Sequence, residues 1–235
     1  MITLTDSAPR SLSQAERAYR ELREAVFAFR LLPGDRFTES DVARQLGCSR
    51  TPVREALTRL QNENLVKCYF RSGWEVVPID FTVFTNLYET RSLIEVHAVE
   101  QLCLGADARV DRGVIDRLGL LWRLPKAEQV TDISQAAALD EDFHLELVRA
   151  AGNDELVAIL SNITARIRIM RRLDFEFDRR IYQTYDEHVA LLDLIAAGRT
   201  VAAKAYISEH IEDGHREVSR ITVQRLQQAR VKSLG

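Results

Sequence analysis

From Phe81 to the C-terminus the apolar residues recur at helical spacing, and most of the breaks in that pattern fall at Gly105, Pro125, Gly152-Asn153 and Gly198. A stretch of that length without strand alternation has to bury its helical stripes against one another. It predicts six helices, about 81–104, 108–123, 131–151, 154–177, 179–197 and 199–230. The short connections make sequence neighbours antiparallel, which gives a helical bundle. At 235 residues with 46% hydrophobic content, the chain has the apolar material for such a core and the length for one or two domains.

The first 78 residues read differently. Apolar or small positions at 15, 19, 22, 25, 26 and 29 give an amphipathic helix over about 12–30, stopped by Pro33-Gly34. A second helix runs from Glu39 to Leu46, with Thr38 as N-cap and Gly47 as its stop. Ser49 or Thr51 caps a third, in which Pro52 is tolerated in the first turn and Val53, Ala56, Leu57 and Leu60 form the buried face. Asn64 closes it in a left-handed cap. Two β-rich runs, 65–70 and 74–77, flank Arg71-Ser72-Gly73 as a hairpin, and strand is expected nowhere else. Pro78 ends the second run and Asp80 can cap the next helix. The expected organisation is therefore mainly α: residues 1–78 as three helices plus a hairpin, residues 79–235 as a six-helix bundle.

Whole-chain charge does not suggest a polyanion partner. The net charge is −3, with 12 Lys and Arg against 10 Asp and Glu up to residue 78 and 20 against 25 beyond it. Local placement does. Arg44, Arg50, Arg54 and Arg59 lie on two short helices with Glu55 as the lone acid among the last three. Arg50 and Arg54 share a face opposite Leu57 and Leu60. Two helices joined by Gly47-Cys48-Ser49 and followed by a wing make a winged helix-turn-helix, whose second helix enters the major groove N-terminus first. There Arg50 can bond guanine O6 and N7. Ser49, Thr51 and the free N–H groups of the helix start suit phosphate, and Arg71 at the wing tip reaches the minor groove or backbone. The bland alternative is a surface helix with scattered arginines; the joint pattern of spacer, basic N-terminus, apolar back and wing favours double-stranded DNA. Cys48, Cys68 and Cys103 form no CxxC pair, so neither a disulfide framework nor a cysteine zinc site is expected. With no signal peptide and no apolar run near ~20 residues, a cytoplasmic protein without a membrane partner is expected.

The helical half carries a second pattern. "LDEDFHLEL" sets Asp140 and His144 four apart, His188 follows in "YDEHVALL", and His210 in "YISEHIEDGH". Three helices thus offer one oxygen and three nitrogen donors, a set that suits Zn²⁺ and other first-row divalent ions. Spacing alone leaves open that Asp140–His144 is a plain i,i+4 pair and the other histidines satisfied core or surface residues.

"PGDRFTESDVARQLGCSRTPVREALTRLQNENLV" resembles the N-terminal domain of GntR-family transcriptional regulators, and "LGCSRTPVREAL" matches the most specific segment of that family almost residue for residue. The resemblance implies operator contacts at Arg50, Thr51, Arg54 and Gly73. Ser40 stands where many members carry a DNA-contacting Arg, and Asn64 replaces a usual Gly. The helical half resembles the FCD ligand-binding domain of the FadR branch, through Asp140, His144, His188 and His210, through "AAGNDEL", and through "YETRSLIEVHAVEQL" with Arg91 at a recurring Arg. This implies a divalent metal, zinc first with Ni or Mn as alternatives, and a small carboxylate effector beside it. Arg91 is then either the effector's partner or a structural ion pair with Glu95. His97 and His215 fall outside the pattern. The resemblance further implies a homodimer on a palindromic operator, a regulator rather than an enzyme, with repression relieved by the effector the commoner behaviour of the family and activation the alternative. The competing readings are a metal-dependent hydrolase, which leaves the first 78 residues unexplained, and a metal-free acyl-CoA-responsive regulator, which leaves the intact quartet unexplained.

Overall fold

The computed structural model describes residues 13–174 and 178–233. Capping chemistry sets the N-terminal elements. Ser13 accepts from Glu16 N–H at 3.1 Å to open α1 (Gln14–Phe27). Thr38 and Asp41 form a reciprocal capping box at the start of α2 (Glu39–Leu46), and Gly47 ends it in the left-handed region at φ 62°. Ser49 precedes α3 (Arg50–Asn62), and Asn64 takes the left-handed conformation expected of it, φ 58°. Val53, Ala56, Leu57 and Leu60 on α3 are wholly buried, α1 packs on α3 through Ala18, Leu22 and Val26, and Leu65, Val66 and Val76 complete this core. A fully buried Leu or Val of this kind contributes about 1.5–3 kcal/mol.

The hairpin pairs β2 (Val66–Tyr69) with β3 (Gly73–Val76), antiparallel, Val66 opposite Val76 and Tyr69 opposite Gly73. The structure adds a strand that the residue pattern does not announce. β1 (Arg36–Phe37) pairs with β3, giving the order β1-β3-β2. Two residues carry no alternation to detect; what holds them is register, with Arg36 opposite Glu75 and their side chains 3.2 Å apart. Gly73 is required by this third strand. At φ +83° a Cβ there would lie 2.6 Å from the Phe37 carbonyl oxygen.

Chain contacts group most of residues 1–79 into one compact unit and Asp80–Gln228 into another. The second unit comprises α4 (Phe81–Leu104), α5 (Val114–Trp122), a 3₁₀ turn (Lys126–Glu128), α6 (Ile133–Ala150), α7 (Asp154–Asp174), α8 (Asp178–Ala196) and, as far as Gln228, α9 (Thr200–Ser233). Asp80 caps α4 by accepting from Thr82 and Val83 N–H. Its core runs through Ala98, Val99 and Leu102 of α4, Phe143 and Leu147 of α6, Leu160 and Ile167 of α7, Leu191 and Leu192 of α8, and Ala203 and Ile207 of α9.

One boundary differs by six residues from the expected start at 108. Asp107 accepts from Arg109 N–H at 2.9 Å, Asp111 from Gly113 N–H at 3.0 Å, and Asp111 N–H donates to the Ala150 carbonyl. These groups are satisfied by turns, so α5 begins at Val114. The expected reach of the fourth bundle helix to 177, and residue 12 at the start of the first helix, lie outside the described residues. No helix among those described is long and apolar enough to cross a membrane.

Candidate metal centre and candidate nucleic-acid interface

On α3 the burial of Val53, Leu57 and Leu60 turns the opposite face outward. The side chains of Arg50 and Arg54 are 61% and 64% exposed, and Ser49 and Thr51 are exposed at the helix start. Ser49 makes no side-chain cap bond, which leaves its hydroxyl and the first-turn N–H groups available to an anion. The two guanidinium groups are not free, unlike the bare basic face that the sequence suggests. Glu39, at the start of α2, receives Arg54 through Nε and Nη2 at 2.8 Å each and Arg50 through Nη2 at 3.0 Å. Those bonds, Arg54's above all, hold the Glu39 carboxyl down at about 2. Both arginines remain at the surface rather than beneath other protein. At the wing tip Arg71 is exposed with φ 59°, its guanidinium 5.0 Å from the ring centroid of Phe70, which is 86% exposed. Gly73 is only part-exposed, and its close approach to Phe37 gives it a structural duty of its own.

In the bundle, α6 presents Asp140 and His144 one turn apart, α8 presents His188 and α9 presents His210. One donor atom from each lies within 4.8 Å of every other. Asp140 Oδ1 sits 3.5 Å from His144 Nε2 and 3.4 Å from His188 Nε2. Tetrahedral bonds of ~2.0–2.1 Å give ligand–ligand edges of about 3.4 Å, so this part of the cluster has the dimensions of a metal site. The rest of the surroundings fixes the donors. His144 Nδ1 lies 2.5 Å from Glu95 Oε2, and His210 Nδ1 lies 2.9 Å from Glu187 Oε2. In the tautomer these contacts require, each Nδ1–H donates to the carboxylate and Nε2 keeps its lone pair. His188 stacks on Phe143 with centroids 3.7 Å apart and planes 6° from parallel.

Electrostatics favour the ligating forms. Burial drives His188 down to about 3 against the pull of Asp140, and burial also lowers His210. Burial alone would raise Asp140, but the Arg171 charge, with the His144 and His188 rings close to Oδ1, holds it well below the carboxylate range. Arg171, on α7, binds Asp140 Oδ2 and leaves Oδ1 to the histidines. Burial likewise opposes ionisation of Glu95, and Arg91 and His144 overcome it.

Buried polar atoms without a partner concentrate here: His144 Nε2, both ring nitrogens of His188, Arg91 Nη2 and Arg171 Nη1. Unsatisfied buried groups are costly, and imidazole nitrogens at ligand spacing are satisfied by a cation. The residues present therefore fit a divalent metal. Arg91, 2% exposed, pairs with Glu95, Nε to Oε1 at 2.5 Å, while Nη2 stays unpartnered. Nothing in the sequence pattern gives Glu187 or Arg171 a place around the quartet, or joins Glu95 to His144. His97 is exposed, and His215 lies against Phe84 and Tyr88 at 3.3 Å from Thr85 Oγ1, both outside the cluster.

Residues 86–213 match the FCD domain and residues 14–76 match the gntR family of bacterial regulatory proteins. Among similar proteins, the Nta operon transcriptional regulator of Aminobacter aminovorans is 29% identical over 185 residues, covering 79% of this chain and 85% of its own. The gluconate operon transcriptional repressor of Bacillus licheniformis is 25% identical over 185 residues, 77% of this chain and 74% of its own. Among solved structures, Lar, which controls expression of the Listeria monocytogenes agr system, superposes with a TM-score of 0.65 at 20% identity, covering 90% of this chain and 99% of Lar. That last likeness speaks for the fold alone.

Proposed function

The chain belongs to the gntR family of bacterial transcriptional regulators and carries an FCD domain; from that premise we propose that a metal and a small carboxylate held in its bundle control its grip on operator DNA. The carrying observation is the convergence of Asp140, His144, His188 and His210 with unpartnered imidazole nitrogens among them. A divalent ion, zinc first, supplies a Lewis-acidic anchor for a carboxylate oxygen. The chain's own residues do the rest. Glu95 and Glu187 hold two imidazoles in the ligating tautomer. Arg91 offers Nη2 to the effector.

On the other unit, Arg50 and Arg54 read bases, Ser49, Thr51, Arg71 and the Gly73 backbone hold phosphate or the minor groove, and Glu39 keeps the two guanidinium groups aligned until DNA takes its place. Two copies meet a palindromic operator, each reading one half-site. The effector acts by differential affinity for two arrangements of the dimer, and relief of repression is the expected sign. His210→Ala tests the metal centre: bound divalent metal per chain should fall while operator binding by the metal-free dimer stays intact. Unaltered metal content would remove His210 from the site.

A further inference from the structure

The buried charges around the quartet cancel. Among the described residues, the buried charged side chains of the bundle are Arg91, Glu95, Asp140 and Arg171, joined as two guanidinium–carboxylate pairs, Arg91 with Glu95 and Arg171 with Asp140. An imidazole that ligates a metal does so in its neutral form, so the three histidines of the quartet add no charge to this count. A divalent cation therefore brings two positive charges that none of these side chains offsets, in a setting where His188 is 1% and Asp140 2% exposed. Uncompensated charge at such depth is strongly unfavourable.

The same two guanidinium groups carry the second observation. Each uses part of its fork on a carboxylate and leaves one nitrogen buried without a partner, Arg91 Nη2 and Arg171 Nη1. Both residues are more than nine-tenths buried. One sits behind His144 through Glu95, the other behind Asp140, so the two spare donors flank the quartet from α4 and from α7. A single monocarboxylate would answer one of them and half the excess charge.

We infer that the effector is a small dianion, a dicarboxylate with one group toward Arg91 and the other toward Arg171. This rests on the proposed metal centre, and the test separates the two. The full chain loaded with zinc, its metal content measured first, is titrated calorimetrically with matched pairs of acids at neutral pH: malonate against propionate, succinate against butyrate, malate against 3-hydroxybutyrate. The expected result is at least tenfold tighter binding of the best dianion than of any monoanion. Arg171→Gln, with zinc still bound, should abolish that preference, whereas Arg171→Lys should keep most of it. Equal or tighter binding of the monoanions, or no binding of either class to zinc-loaded protein, overturns the inference and leaves the metal centre standing. Retention of the preference in Arg171→Gln overturns the part assigned to Arg171. Failure of the wild-type chain to hold zinc would instead sink the metal centre, and the inference with it. Should the variants not fold, the wild-type titrations decide alone.

Discussion

Two guanidinium–carboxylate clusters of similar composition sit in opposite surroundings. Around Glu39, Arg50 and Arg54 are over 60% exposed. Around Glu95, Arg91 and His144 are at most 3% exposed. Glu39 itself is 12% exposed, but its two arginines lie mostly in water, where such pairs contribute little to stability and can give way to a phosphate or base edge. In the bundle the second cannot be opened without stranding a charge, so it fixes the geometry of the neighbouring ligands. The comparison teaches that the surface pairs are exchangeable and the buried ones are scaffolding.

The largest effect should come from breaking the buried cluster. Glu95→Ala strands Arg91 and releases His144, and it should cost about 3–5 kcal/mol in denaturant unfolding. A loss near that of a surface pair would mean that water reaches Glu95 and the contrast is false. Next, Arg54→Ala should weaken operator binding roughly 5- to 150-fold at matched salt, if Arg54 exchanges Glu39 for a base; unchanged affinity would take it out of the interface. Operator binding should also fall steeply with added salt because phosphate contacts release counterions. Metal content should not respond to the same salt. A flat operator response would count against α3 as a basic reading surface.

The smallest effect belongs to Glu39. Glu39→Gln should change stability by no more than about 1 kcal/mol near neutrality. The Glu39 carboxyl is depressed to about 2 from the usual 4.5, so its contribution is present above pH 4.5 and disappears as pH falls toward 2. The gap between wild type and Glu39→Gln should close over that window. A gap that widens on acidification would assign the pair the wrong sign.

Most element boundaries were legible because they are written in local chemistry: Thr38 and Asp41, Gly47, Asn64, Asp80, Gly105, and Asn153, whose Oδ1 accepts from Glu155 and Leu156 N–H. The buried face of α3 came from its period. Two local features did not show. β1 is too short to alternate, and the turns before Val114 hide inside a run that keeps helical spacing because Asp107 and Asp111 bond their own backbone. For the site, residue types at helical spacing marked the quartet, but not what surrounds it. Glu95 lies 49 residues from His144, and Arg171 31 residues from Asp140. Periodicity tells which face of a helix is buried; it does not tell which other helix supplies the partner. Glu39, eleven residues from Arg50, was missed for the same reason, since it lies on the preceding helix.

Zinc-edge X-ray absorption of the zinc-loaded chain tests the metal centre most directly. Three imidazole nitrogens and at least one carboxylate oxygen at ~2.0–2.2 Å are predicted, with one imidazole lost in His188→Ala. A shell of oxygens alone, a sulfur neighbour from Cys48, Cys68 or Cys103, or a spectrum unaltered in His188→Ala would contradict it.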